Sequence, residues 1–235
     1  LLAGEQRAQE QHYLAVGFSV AAGIAALLLI PSYSADVAVT IEVGSIFGDF
    51  TFVPDGLGLF LTAVATVVGS LAVLFSVDYM HGEKDLGRYY ALVLLFIGAM
   101  AGLALSGSIL MLFFFWEITA LCSYALISFY NDDPKAVVGG LKALVMTQLG
   151  GVGMLAGGLI TYAYFGDYQI STFIEGAETL PSNMLTVMGF GFLLAAAAKS
   201  AQVPFHTWLP GAMEAPTPIS ALIHAATMVN AGVYL

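Results

Sequence analysis

The sequence predicts an all-α fold, a polytopic bundle of membrane-spanning helices, and three observations carry that prediction. Residues of the AVILMFWYC set make up 59 % of the 235 residues and charged residues only 9 %, where a soluble domain carries roughly 25 % charged residues. The mean hydropathy is +0.89. The apolar residues fall into runs of about 20, the length at which a helix crosses the hydrocarbon core. The net charge of −10 comes from Asp and Glu between the runs and offers no basic footing for nucleic acid. The whole chain, 1–235, reads as a single membrane domain whose main solvent is the lipid bilayer.

Seven runs qualify as spans: about 13–30, 57–79, 90–106, 109–129, 138–163, 184–203 and 219–235. The first follows the polar stretch QRAQEQH and has no small-residue cleavage site behind a short hydrophobic region, so it is an ordinary span and not a signal peptide. Only Ser106, Gly107 and Ser108 separate the third and fourth, which predicts a tight hairpin. The last run reaches Val233, Tyr234 and Leu235 while still apolar, and no methionine begins the chain, so a fragment of a longer protein is expected. With seven spans, Arg7, the 80–89 loop with Lys84 and Arg88, and the 130–137 loop with Lys135 share one side. Loop 31–56, with Asp36, Glu42, Asp49 and Asp55, and loop 164–183, with Asp167, Glu175 and Glu178, share the other and carry no Lys or Arg. The excess of Lys and Arg marks the cytoplasmic side, here that of the 80–89 and 130–137 loops.

Apart from Asp78, at the very end of the second run, three charges lie inside spans. Burying one at membrane depth costs between ~2.5 and well over 10 kcal/mol, so such residues persist when they are paired, hydrated or useful. Glu117, in the stretch FFFWEIT, lies about nine residues into its run, roughly 13 Å deep at helical rise. Lys199 lies at comparable depth in the sixth run. A close Glu117–Lys199 pair would hold both groups charged, and separation would leave a desolvated lysine ready to release its proton. Such a pair is either a switch or a static tie between two helices. Lys142 sits only about five residues from the cytoplasmic end of its run and can snorkel to the interface.

Beyond Lys199 the chain reads SAQVPFHTWLPGAMEAPTPISALIHAATM, with Pro204, Pro210, Pro216 and Pro218 close together. Proline removes a helix hydrogen bond and clashes one turn back, so a broken helix is predicted near residues 200–218. Broken helices at membrane depth occur where they are buried in protein or line a wet cavity, and transporters use them to present backbone groups to ions. His224 follows in the last run. It is either a satisfied core histidine or a proton relay, which an imidazole suits; His206, inside the break, is a weaker candidate.

Other patterns carry less. Gly150, Gly151 and Gly153 lie in an apolar helix with no preceding strand, so they are no phosphate loop. Gly153 and Gly157 have the spacing of close helix packing. Cys122 is the one cysteine and reads as a small core residue, which rules out an intrachain disulfide. The four histidines lack metal-ligand spacing, and no haem, iron–sulfur, flavin or nucleophile pattern is present. No cofactor, metal or catalytic centre is expected.

The segment KSAQVPFHTWLPGAMEAPTPISALIHAATMV, Lys199 to Val229, resembles a signature of the antiporter-like subunits shared by respiratory complex I and Mrp-type sodium/proton antiporters. FFFWEITALCSY (113–124), DPKAVVGGLKALVMT (133–147) and PDGLGLFLTAVATVVGSLAVLFSVDYM (54–80) are similar to the same family, so the resemblance covers most of the chain from about residue 50 onward. It implies that Glu117 is the glutamate of the first repeat's fifth helix and Lys199 the lysine of its broken seventh helix. It matches His224 to the histidine of the eighth helix and Lys142 to a lysine of the sixth. Residues 90–235 would then hold most of the first proton half-channel. Distal complex I members usually carry an arginine and an aspartate where this chain has Gln148 and Gly151. QLGGVGML, and MEAPTP from Met213 to Pro218, look more like the large Mrp subunit. Against this, CSYALISFYNDDPKA and SALIHAATMV are close to complex I members.

The implied function is proton translocation through Glu117, Lys199 and His224 within a multisubunit cation (sodium)/proton antiporter. The alternative is a proton-pumping membrane subunit of NADH:quinone oxidoreductase or a related redox-driven complex. Either way the expected partners are other membrane subunits, protons and, in the antiporter reading, sodium, in a prokaryotic inner or plasma membrane. Enzyme status depends on the parent complex, because the chain carries no redox centre of its own.

Overall fold

The structure, a computed structural model, describes residues 8–33, 38–42 and 47–235. Arg7 and Asp36, used above to assign sides, lie outside the described residues. Among the described residues, six helices are long and apolar enough to cross a membrane: α1 (Ala8–Leu29), α2 (Gly56–Tyr79), α3 (Leu86–Ala104), α4 (Ile109–Ile127), α5 (Pro134–Phe165) and α7 (Ser182–Lys199). The short α6 (Ile170–Gly176) lies between the last two. The all-α membrane bundle stands.

Local chemistry sets the helix ends. Asp55 caps α2 by accepting from Gly58 N. Asp133 caps α5 from Lys135 N at 2.9 Å, with Pro134 in the first turn, where its missing N–H costs nothing. α5 stops at Gly166, which takes the left-handed conformation (φ 79°) that glycine tolerates. Its 32 residues span about 48 Å, more than the hydrocarbon thickness. α1 is already helical at Ala8, the first described residue and ahead of the apolar run, because Glu and Gln are sound helix formers and His12 is satisfied at 2.7 Å by Tyr90 OH of α3.

The two ends of the bundle differ. At one, Arg88 donates to Phe129 O at 3.0 Å and stacks over the Phe129 ring, which joins the 80–89 and 130–133 turns. At the other, the Ser106–Ser108 turn is stitched on both flanks: Gly107 N donates to Thr51 O (2.7 Å), and Ile170 N donates to Gly107 O (2.9 Å). A Cβ at Gly107 would lie 2.7 Å from a Val53 methyl carbon and 3.0 Å from Thr51 O, so this close approach requires glycine. Thr51 belongs to a small ribbon, β1 (Val39–Ile41) paired antiparallel with β2 (Phe50–Phe52), where the sequence predicted only a loop.

The sixth span breaks where expected, near 200–218, but not by proline alone. α7 ends at Lys199 with Ala201 left-handed (φ 51°), Gln202 N on Ala197 O (2.8 Å) and Ala201 N on Ala198 O (3.4 Å). This is a Schellman ending with alanine at the position glycine usually takes. Residues 200–216 then form short turns and α8 (Trp208–Gly211). Trp208, fully buried, donates its indole N–H to Ala198 O at 2.9 Å and pins the segment against the end of α7. Pro210 lies within α8, Pro204 precedes a 3₁₀ turn, Pro216 caps α9 (Thr217–Ala221) and Pro218 sits in its first turn.

The seventh run is not one continuous helix. α9 passes into a π-helical turn, Leu222–Ala226, and α10 (Met228–Tyr234) follows after an irregular Thr227 (φ −135°, ψ −85°). It nevertheless connects the two ends: Tyr79 OH meets Thr217 Oγ1 at 3.0 Å, and Tyr234 OH donates to Ala104 O at 2.9 Å. Small residues let helices touch, as the glycine spacing predicted. A Cβ on Gly153 of α5 or on Gly191 of α7 would strike the other's backbone. Leu14, Phe18, Phe190 and Leu193 are exposed on outer faces, as suits helices solvated by lipid.

Candidate functional site

The ammonium of Lys199 is fully buried, at 0 % exposure. α7 delivers it to one turn of α4: Nζ donates to Trp116 O at 2.7 Å and to Thr119 Oγ1 at 2.6 Å, and lies 4.2 Å from the centroid of the Trp116 ring. Thr119 is itself fully buried and donates to Trp116 O at 2.8 Å. Trp116 and Thr119 flank the midpoint of α4, so the charge sits at mid-span. Two hydrogen bonds to oxygen and a π face meet most of what a desolvated ammonium requires.

Glu117 is on the same turn but faces elsewhere. Helical rotation places it about 100° from Trp116 and about 200° from Thr119, toward α5. The polar side chain of Gln148, on α5, interacts with its carboxyl. Oε1 lies in the space left by the missing side chain of Gly151, buried and with no hydrogen-bond partner among the described residues. The expected direct pairing of Glu117 with Lys199 is therefore not found: no ion pair within 4.0 Å joins them among the described residues. The two groups still interact electrostatically.

His224 sits on the π turn, and both its ring nitrogens are buried without a hydrogen-bond partner among the described residues. π turns recur at functional sites. The segment that follows docks on the end of α7, where Ser200 Oγ donates to Val229 O at 3.1 Å and Gly232 packs against Ser200. Lys142 is exposed on the outside of α5, and His206 is exposed within the break. Neither is brought to the Lys199 cluster. Thr119 and the Trp116 carbonyl escaped the sequence reading, because a threonine in an apolar helix gives no signal. Gln148 and Gly151 appeared there only as marks of a branch. Their place beside Glu117 could have been suspected from helical spacing, once α4 and α5 were paired.

The fold and this cluster define a polytopic helical membrane protein, with ionisable side chains gathered at mid-span where one helix breaks. The chain belongs to the NADH:quinone oxidoreductase/Mrp antiporter transmembrane family, whose model matches residues 106–235. A second model, NADH-ubiquinone oxidoreductase (complex I) chain 5 N-terminus, matches residues 41–90. The chain is 42 % identical over 189 residues to the Na(+)/H(+) antiporter subunit A1 of Staphylococcus haemolyticus (strain JCSC1435), covering 80 % of this chain and 23 % of that protein. To the protein of the same name in Staphylococcus aureus (strain bovine RF122 / ET3-1) it is 39 % identical over 188 residues, covering 80 % and 24 %. It thus spans about a quarter of the length of the curated relatives it matches.

Among solved structures, the Mrp complex from Dietzia sp. DQ12-45-1b superposes with a TM-score of 0.88 at 30 % identity, over 97 % of this chain and 25 % of that one. The membrane-bound sulfane sulfur reductase, an archaeal respiratory membrane complex, superposes with a TM-score of 0.81 at 22 % identity, over 99 % and 47 %, a likeness of fold.

Proposed function

We propose that this chain forms a proton-translocating part of a multisubunit sodium/proton antiporter in a bacterial plasma membrane, working beside other membrane subunits. One observation carries the reading: a lysine with no exposed surface ends a broken spanning helix at mid-membrane, with a carboxylate oxygen that has no hydrogen-bond partner among the described residues on the neighbouring helix turn. Lys199 carries the proton. Glu117 supplies the counter-charge whose distance governs release, and His224 passes the proton on from the π turn. Residues 90–235 constitute most of one half-channel, and the 80–89 and 130–137 loops face the cytoplasm. The names of the relatives support the choice of sodium as coupled cation.

The test uses the full-length protein in everted membrane vesicles. Respiration on a donor that bypasses complex I builds a proton gradient, sodium is added, and a pH-sensitive dye follows the gradient. Sodium should collapse it in wild type and not in Lys199→Ala with the complex still assembled. A second reading, a subunit of a redox-driven proton pump, draws on the description of the matching family model. It predicts that sodium does nothing and that Lys199→Ala instead loses pumping driven by the native electron donor.

A further inference from the structure

If Lys199 carries the proton, the way it is held at rest becomes part of the mechanism. The ammonium is seated away from Glu117. Its two oxygen acceptors, Trp116 O and Thr119 Oγ1, face the α7 side of α4, while Glu117 faces α5. The carboxylate is held in turn by Gln148 and by the space at Gly151.

We propose that Thr119 is a positioning residue of the proton-transfer site, its hydroxyl the resting acceptor that keeps Lys199 apart from Glu117 and oriented for exchange. Three features single it out. The side chain is fully buried, so its hydroxyl serves no solvent contact. It accepts from the lysine at 2.6 Å while giving its own proton to Trp116 O at 2.8 Å, so its one proton is committed and its lone pairs face Nζ. The remaining acceptor, the Trp116 carbonyl, is a backbone group that no substitution removes, which makes Thr119 the replaceable half of the seat. The lysine alternates between this seat, where Thr119 stabilises the charged form, and an approach to Glu117. Without the hydroxyl the ammonium has one oxygen acceptor and no defined resting place.

The inference rests on the antiporter reading, and the experiment separates the two. Thr119→Val preserves shape and removes the oxygen, Thr119→Ala removes oxygen and bulk, and Thr119→Ser keeps the oxygen. Each is made in the full-length protein alongside Lys199→Ala and assayed in everted vesicles for sodium-dependent collapse of the gradient, per assembled complex. A hydrogen bond to a charged group is worth enough to slow the Val and Ala variants about tenfold or more, and Ser should stay near the wild-type rate. If Val lowers the amount of complex, Ala against Ser, one oxygen apart, decides the matter. Should Thr119→Val and Thr119→Ala transport like wild type, or Thr119→Ser fall with them while Lys199→Ala is inactive, the positioning role is wrong and the antiporter reading survives. An absence of sodium-dependent collapse in wild type, or its persistence in Lys199→Ala, removes both.

Discussion

A half-buried carboxylate on α4 and a buried ammonium on α7 attract each other, yet here the ammonium is satisfied by neutral neighbours, Thr119 and a carbonyl. The carboxylate interacts with the neutral Gln148 side chain and keeps Oε1 without a hydrogen-bond partner among the described residues. Neutral partners hold a charge without fixing it in an ion pair, whose rupture in low dielectric would be steep. Gly151 tests how closely the Glu117 side is fitted. A methyl group there would coincide with Oε1, so Gly151→Ala must move the carboxyl or the helix, with overpacking worth about 1–3 kcal/mol. Sodium-dependent proton movement in everted vesicles should fall several-fold in Gly151→Ala, at assembly close to wild type. Gly189→Ala, where a Cβ has nothing within 4 Å, should leave both unchanged. Equal rates in the two variants would mean that Glu117 is not held where transport needs it.

At the scale of the element, the ending of α7 does the positioning, and it leaves free backbone groups paired. Ala201 stands in a left-handed conformation that costs an L-residue roughly 1–2 kcal/mol. Ala201→Gly should therefore raise the thermal midpoint of the detergent-solubilised complex slightly or leave it level, whereas Ala201→Val should lower it. Trp208→Phe keeps the ring and removes the N–H that satisfies Ala198 O, leaving a buried carbonyl short of one partner at a cost of about 1–3 kcal/mol. It should loosen the segment just beyond Lys199, read as a lower midpoint and faster amide exchange over 200–208. The break itself was legible, since four prolines after Lys199 exclude a continuous helix. Its form was not: the turn is made by Ala201, a residue with no preference for it, and depends on a tryptophan seven residues further on. The interruption at Leu222–Ala226 was invisible for a related reason. LIHAATMV contains neither glycine nor proline, and a π turn there reflects packing, against α2 at the turn and of α10 on α7 just after it, not local propensity. The six long spans were legible because each is an apolar run of membrane-crossing length, and in α2 and α5 the ends are also chemical, at Asp55, Asp133 with Pro134, and Gly166.

Taken as a whole, the molecule has one end that carries Lys and Arg among its acids, the basic end, and one acidic end that carries none among the described residues, and the structure ties each together without reference to charge. Lys84, Arg88 and Lys135 lie at the end where Arg88 bonds Phe129 O. Asp49, Asp55, Asp167, Glu175 and Glu178 belong to the segments around the Thr51–Gly107–Ile170 stitching. On the proposed route, with the basic end cytoplasmic, a proton handed from Lys199 to His224 moves toward the segment that returns to the acidic end, because the break after α7 runs toward the basic end while α10 comes back. The orientation is therefore a premise of the transport direction, and it can be measured apart from transport. Cys122 is buried at 2 % exposure and should resist a water-soluble, membrane-impermeant maleimide. In the full-length protein freed of cysteines outside this segment, Lys84→Cys and Glu178→Cys place single thiols at exposed positions on opposite ends. In everted vesicles, where the cytoplasmic face is outward, Lys84→Cys should label promptly and Glu178→Cys only after the membrane is permeabilised; intact cells should give the reverse. Labelling of both from one side would place the two loops in the same compartment and contradict the crossing count. A clean reversal would keep the bundle but invert the direction of the proposed proton transfer from Lys199.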